Sequence, residues 1–120
     1  MISFPSNTDI IVCHLPVSFS CGFDGMSRYC RIILKKEPLG KAYFMFINKG
    51  QKQIRILWYD GQGLLLCGKR SSQGRFSHWP KNAEEIFSNF SFFKAQILFS
   101  GGDPTNIKSK KMWKKLTQAD

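Results

Sequence analysis

Chemistry in this chain would have to start from Asp24, Asp60 and Asp103, from His14 and His78, or from Cys13, Cys21, Cys30 and Cys67. A metal-dependent nuclease holds its ion with clustered carboxylates, often an acid in one strand and acid-x-Lys in the next. The stretch "ILWYDGQGLLLCGKR" (56–70) has the hairpin for this, with Asp60 in its turn and Lys69 near its exit. Cys67 stands two residues before Lys69, where the second acid belongs. The hairpin therefore lacks the metal site. A triad of Asp24, Asp60 and Asp103 is better resolved into separate local roles: Asp24 as a helix cap, Asp60 with Gly61 as turn chemistry, and Asp103 in the turn "GGDP".

The other chemistries fare no better. His14 and His78 fall in strand-like segments without an i, i+4 partner or a spaced Cys/His companion, so both read as structural. The cysteine spacings match neither C-x-x-C nor a zinc ribbon, and three of the four lie inside apolar runs as small hydrophobes. A reducing, cytoplasmic setting is expected. Phosphate-binding glycine motifs and "GxSxG" are absent, and Ser20 and Cys21 have no histidine near them in sequence. No catalytic residue, metal, cofactor or small-molecule substrate is expected.

The elements that would position any site divide the chain into a single α+β domain over 1–103 and a lysine-rich tail over 104–120. "DIIVCHL" (9–15) is a short β-branched run that Pro16 stops, a strand. Met26, Tyr29, Cys30, Ile33 and Leu34 then repeat at helical spacing, with Asp24 ahead of them and Lys35 and Lys36 at the negative end of the helix dipole. From Lys41 to Trp79 the pattern becomes apolar or period-two runs broken by turns: "KAYFMFI", "QIRILWY", "LLLCGKR" and "RFSHW". These describe an antiparallel β-meander of four to five strands packed against one N-terminal amphipathic helix, with a short C-terminal helix and basic tail. Asn82, Glu84 and Glu85 read as a helix start, and Ser91 as the cap of a second helix over 92–100 ended by Gly101 and Gly102. The first helix would cover one face of the sheet and the C-terminal segment the other.

Charge is the strongest compositional signal. Among 120 residues, 18 Lys and Arg stand against 8 Asp and Glu, a formal +10. That balance favours a polyanionic partner, nucleic acid before a membrane surface, and no stretch approaches the roughly 20 apolar residues of a membrane helix. Lys49, Lys52, Lys69, Arg70 and Arg75 fall in or beside alternate turns of the meander, which share one end of a sheet, so they would form one basic rim suited to DNA phosphates. The tail adds Lys108, Lys110, Lys111, Lys114 and Lys115. Trp58, Tyr59 and Trp79 read as core aromatics before stacking platforms.

Three stretches carry a resemblance. "GFDGM" (22–26) opens the helix, "ILWYDGQGLLLCGKR" forms the hairpin, and "GRFSHWP" (74–80) closes the meander. In Gly22, Asp24, Gly25, Trp58, Asp60, Gly61, Gly63, Gly74, Phe76, Trp79 and Pro80 the chain resembles the TnpB-type accessory proteins encoded by the second open reading frame of the IS-sixty-six family of bacterial insertion sequences. The resemblance runs from about Pro5 to Pro80, with an echo over Lys94–Asp103. It departs from the family's usual pattern at Ser18–Gly22 and in "RSSQGRF". It implies a non-catalytic helper of transposition that works beside a separate transposase, with DNA at the element ends and the transposase as partners. An adaptor that docks on the transposase without specific DNA binding is the alternative, and a small nuclease the weakest reading.

Overall fold

The computed structural model of the chain describes residues 9–82 and 84–105. In chain order they form β1 (Ile10–Cys13), a 3-10 turn (Phe19–Cys21), α1 (Gly22–Ile32), β2 (Tyr43–Ile47), β3 (Gln53–Tyr59), β4 (Leu64–Arg70), β5 (Phe87–Phe90) and α2 (Phe92–Phe99). The strands make one five-stranded sheet in the order β4-β3-β2-β1-β5. β2, β3 and β4 are the expected antiparallel meander, with Leu57 opposite Phe44 on one side and Leu66 on the other. β1 runs parallel to β2, however, so the sheet is mixed. A parallel neighbour requires a long crossover, and residues 14–42, carrying α1, supply it.

Two expectations fail between residues 75 and 90. Arg75–Trp79 forms no strand but a loop. Phe76 and Trp79 both enter the same core cluster, whereas residues three apart on a strand would point to opposite faces. Asn82, Glu84 and Glu85 start no helix. They lead into β5, which pairs antiparallel with β1, Phe87 opposite Cys13 and Phe90 opposite Ile10. Phe87 and Phe90 fall on opposite faces and contribute one ring to each core. Tertiary demand for a partner on the free edge of β1 outweighs the local helix signal.

Both helices are found, with one altered cap. α2 begins as expected, Ser91 Oγ accepting from Lys94 N at 3.2 Å, and ends at Gly101, whose positive φ of 89° turns the chain. α1 has Cys21 at its N-cap with no side-chain cap bond, so Asp24 is not the cap. It lies in the first turn, where its charge suits the positive end of the dipole. The helix closes with Lys36 N donating to Cys30 O at 2.9 Å around Lys35, which takes a left-handed φ of 55°.

The division into two covered faces is the one expected. Ile11, Cys13, Phe44, Phe46 and Leu57 pack against Met26, Cys30 and Leu34 of α1 and its exit. Ile10, Val12, Met45, Ile47, Ile54 and Ile56 pack against Ala95, Leu98 and Phe99 of α2 together with Phe76 and Trp79. β1 and β2 are buried on both sides, which is why their sequences are continuously apolar rather than alternating.

Candidate nucleic-acid interface

One end of the sheet collects the exit of β1, the β2–β3 turn, the exit of β4 and the loop 71–82. The β2–β3 turn is set by Asn48, whose Oδ1 accepts from Lys52 N at 3.0 Å and Gln53 N at 3.1 Å. Gln51 in this turn is left-handed, φ 56°, a conformation an L side chain adopts only when held. It is held by the 71–82 loop: Phe76 N donates to Gln51 O at 2.7 Å, Gln51 Nε2 reaches Phe76 O at 3.4 Å, and Lys81 Nζ donates to Gln51 Oε1 at 3.3 Å. Ser71 N donates to Lys52 O at 2.8 Å and ties the exit of β4 to the same turn. The β2–β3 turn and the continuous stretch 70–82, distant from it in sequence, are thereby locked together.

The cations on these segments point outward. Lys49, Lys52, Arg70, Arg75 and Lys81 are all exposed. Among the described residues none of them forms an ion pair; the two pairs present are Arg31–Glu37 at 3.2 Å and His78–Asp103 at 3.8 Å. Arg28, Lys35 and Lys41 are exposed away from this end, while several other cations are engaged with the fold. Arg55 donates to Phe19 O at 2.8 Å and lies over its ring, Lys36 lies over Phe87, and Lys94 over Phe90. An open cavity of about 360 Å³ sits beside the rim, with Leu15, Pro16, Ile47 and Trp79 as apolar wall and Lys49 and Lys81 at its margin. Glu84 and Glu85 follow on the β5 side.

Lys69 does not join the rim. It lies on the α2 side of β4, where Nζ donates to Phe99 O at 2.7 Å and sits 4.9 Å from the centre of the Phe99 ring. It thus caps the C-terminus of α2, where free carbonyls carry the negative end of the dipole. Partial burial holds its ammonium below the ordinary lysine range. Lys81 was not singled out from the sequence. Its only local signal is its position directly after the Trp79–Pro80 pair that anchors the loop. Lys108, Lys110, Lys111, Lys114 and Lys115 lie outside the described residues.

The residues tested for chemistry are spread apart and occupied. Asp60 Oδ1 accepts from Gln62 N at 2.9 Å and Gly63 N at 3.0 Å, and these bonds hold its carboxyl below the usual range. Its hairpin turn lies at the end of the sheet opposite the rim. Asp103 accepts from Thr105 Oγ1 at 2.7 Å and Thr105 N at 3.0 Å, which lowers its pKa too. His14 follows β1 and is buried: Nδ1 donates to Glu85 O at 2.7 Å, and Nε2 lies 2.6 Å from Ser88 Oγ. His78 is on the exposed loop rather than a strand. Burial raises the thiol pKa of Cys13 well above its ordinary value and pushes Cys30 up to about 12, so neither is a thiolate near neutrality. Among the described residues no group of three or more His, Cys, Asp or Glu is placed to hold a metal ion.

The motif residues behind the resemblance hold the frame instead. Asp60 and Gly63 close the hairpin turn through Gly61, whose φ of 97° favours glycine. Gly74 turns the loop at φ 71°, and Gly22 begins α1 at φ 63°. At Gly25 a Cβ would come within 2.2 Å of Cys21 Cβ. Trp79 is buried with Nε1 donating to Cys13 O at 2.8 Å, Phe76 is buried beside it, and half-buried Pro80 follows. Trp58 stacks on Tyr43 at 5.3 Å between ring centres, and Tyr59 donates its hydroxyl to Gly61 O at 3.0 Å. Of these, Gly74, Phe76, Trp79 and Pro80 shape the loop from which Arg75 and Lys81 project.

The family description "IS66 Orf2 like protein" matches residues 8–109. The chain therefore belongs to that family, the insertion-sequence accessory proteins its motifs resemble. It is similar to uncharacterized protein y4hO of Sinorhizobium fredii, 37% identical over 60 residues that span 50% of this chain and 51% of that protein. It is also similar to uncharacterized protein y4jC of the same organism, 28% identical over 101 residues, covering 84% of this chain and 85% of that one. No solved structure matches the chain. Among the described residues no helix is long and apolar enough to cross a membrane.

Proposed function

We propose that this chain is a non-catalytic accessory protein of insertion-sequence transposition that acts in the bacterial cytoplasm beside a separate transposase. It binds DNA at the element ends through Lys49, Lys52, Arg70, Arg75 and Lys81, and the tail lysines add sequence-independent affinity. One observation carries this reading: exposed cations from the β2–β3 turn and from the stretch 70–82 share one end of the sheet, and among the described residues none has a carboxylate partner. Phosphates spaced along a duplex are the chemistry that such a rim meets best, and each contact releases counterions.

The test is binding of the full chain to fluorescent element-end and scrambled duplexes across a salt series. Preference for the end sequence with a steep salt slope supports the reading; equal, weak binding lost near physiological salt refutes it. An adaptor role is favoured by one further feature. Leu15 and Ile86, 53% and 38% exposed, lie at the same end of the sheet, linked through His14 N donating to Ile86 O at 2.9 Å. An apolar and basic surface of this kind fits an acidic protein partner. Under that reading the transposase is retained in a pull-down by the parent chain and lost on Leu15→Asp.

A further inference from the structure

β4 is an outer strand of the sheet, and its outward edge meets no backbone partner among the described residues. Exposed edges are usually blunted by shortness, charge, proline or a bulge, because unpaired N–H and C=O groups template another strand. The opposite edge follows that rule: β5 has only four residues, and Glu84 and Glu85 stand just ahead of it, one residue removed. β4 has seven residues and opens with Leu64, Leu65, Leu66 and Cys67, all half-buried. Its two charges are confined to the exit, and the ammonium of Lys69 is folded back onto Phe99 O. The apolar part of this edge is left unguarded.

We propose that the β4 edge pairs antiparallel with β4 of a second copy of the chain, about a twofold axis at Cys67. The strand is suited to itself. Cys67 is the midpoint of Leu64–Arg70, so a register centred there pairs all seven residues of each strand. In that register Arg70 of one copy faces Leu64 of the other, beside the turn that carries the exposed Asp60 carboxylate. A parallel arrangement would instead stack Lys69 and Arg70 on their own copies, and like charges in opposition destabilise a strand pair. Pairing β4 on β4 is isologous and closes as a dimer, whereas pairing β4 on β5 leaves a β4 free at one end and a β5 at the other, which can pair again and propagate.

The central cysteine supplies the test. Facing residues of an antiparallel pair have Cα atoms roughly 4.5–5.5 Å apart, inside the range of about 4.4–6.8 Å that a disulfide spans. Cys13 and Cys30 are buried and Cys21 is exposed, so the full chain carrying Cys21→Ser leaves Cys67 as the accessible thiol among the described residues. Its native mass in light scattering should be twice the 13.8 kDa of one chain. Mild diamide, which takes up the two thiol hydrogens, should convert it to a covalent dimer, and adding Cys67→Ser should abolish the link while leaving the native mass unchanged. Leu65→Lys should shift the mass toward the monomer with the circular dichroism of the fold retained. A monomer at tens of micromolar overturns the proposal, including one whose β4 amides are protected from exchange by its own residues 106–120. So does a dimer that Cys67 does not link, or a series of growing polymers.

Discussion

Replacing Lys49, Lys52 and Arg75 by glutamine in the full chain removes three rim charges while keeping long polar side chains. All three residues are exposed and unpaired with any described carboxylate, so each change should alter stability by no more than about 0.5 kcal/mol. Under the proposed role the effect belongs in DNA affinity. Each phosphate contact on a duplex contributes about 0.9 to the slope of log K against log salt. Five rim contacts give a slope near −4.5, which corresponds to a loss of about 500-fold in affinity between roughly 50 and 200 mM salt. The triple variant keeps two rim contacts, so its slope should be shallower by about 2.7 and its loss over the same range about 40-fold smaller. That difference is independent of what the tail lysines add, since both chains carry them. Fluorescence anisotropy with one labelled duplex measures it directly. A variant with the parent's slope would refute the rim as the contact surface and leave the charge to the tail or to a protein partner.

Other consequences concern the frame that holds the rim. Lys69→Met keeps the stem over Phe99 but loses the charged hydrogen bond to the α2 terminus; urea unfolding should show a loss of about 1–2 kcal/mol, and an unchanged midpoint would count against the cap. Trp79→Phe leaves the Cys13 carbonyl without its buried donor and opens space in the α2-side core, for an expected loss of about 2–3 kcal/mol by the same assay. The folded pKa of Asp60 lies below its ordinary 3.8. Its stabilisation is therefore present above 3.8 and lost as pH falls through the folded value. Asp60→Asn can still accept from Gln62 N and Gly63 N but cannot titrate, so its melting temperature should fall less steeply than the parent's on acidification below that range. Parallel curves would assign the acid sensitivity to other carboxylates.

Local patterns in the sequence determined much of this protein. The α1 stripe, the β2–β3–β4 hairpins, the Ser91 cap of α2 and the Asp60–Gly63 turn are encoded within a few residues of where they act, by period, capping chemistry and φ-permissive glycine. The absence of an acid two residues before Lys69 likewise argued against a nuclease hairpin from sequence spacing alone. Tertiary structure decided what depends on partners far along the chain. "FSNF" became β5 because β1 had an open edge, against a local helix signal in the residues before it. "RFSHW" became a loop because Phe76 and Trp79 had to enter one core together. Position in sequence put Lys69 and Arg70 side by side, but alternation along β4 sends one ammonium to the carbonyls of α2 and leaves the other guanidinium exposed. Lys81 reached the rim only because Trp79, bonded to Cys13 O, carries its loop back over Gln51. A pattern of neighbours specifies an element; which of its charges stay exposed is settled by the groups that the rest of the chain brings against it.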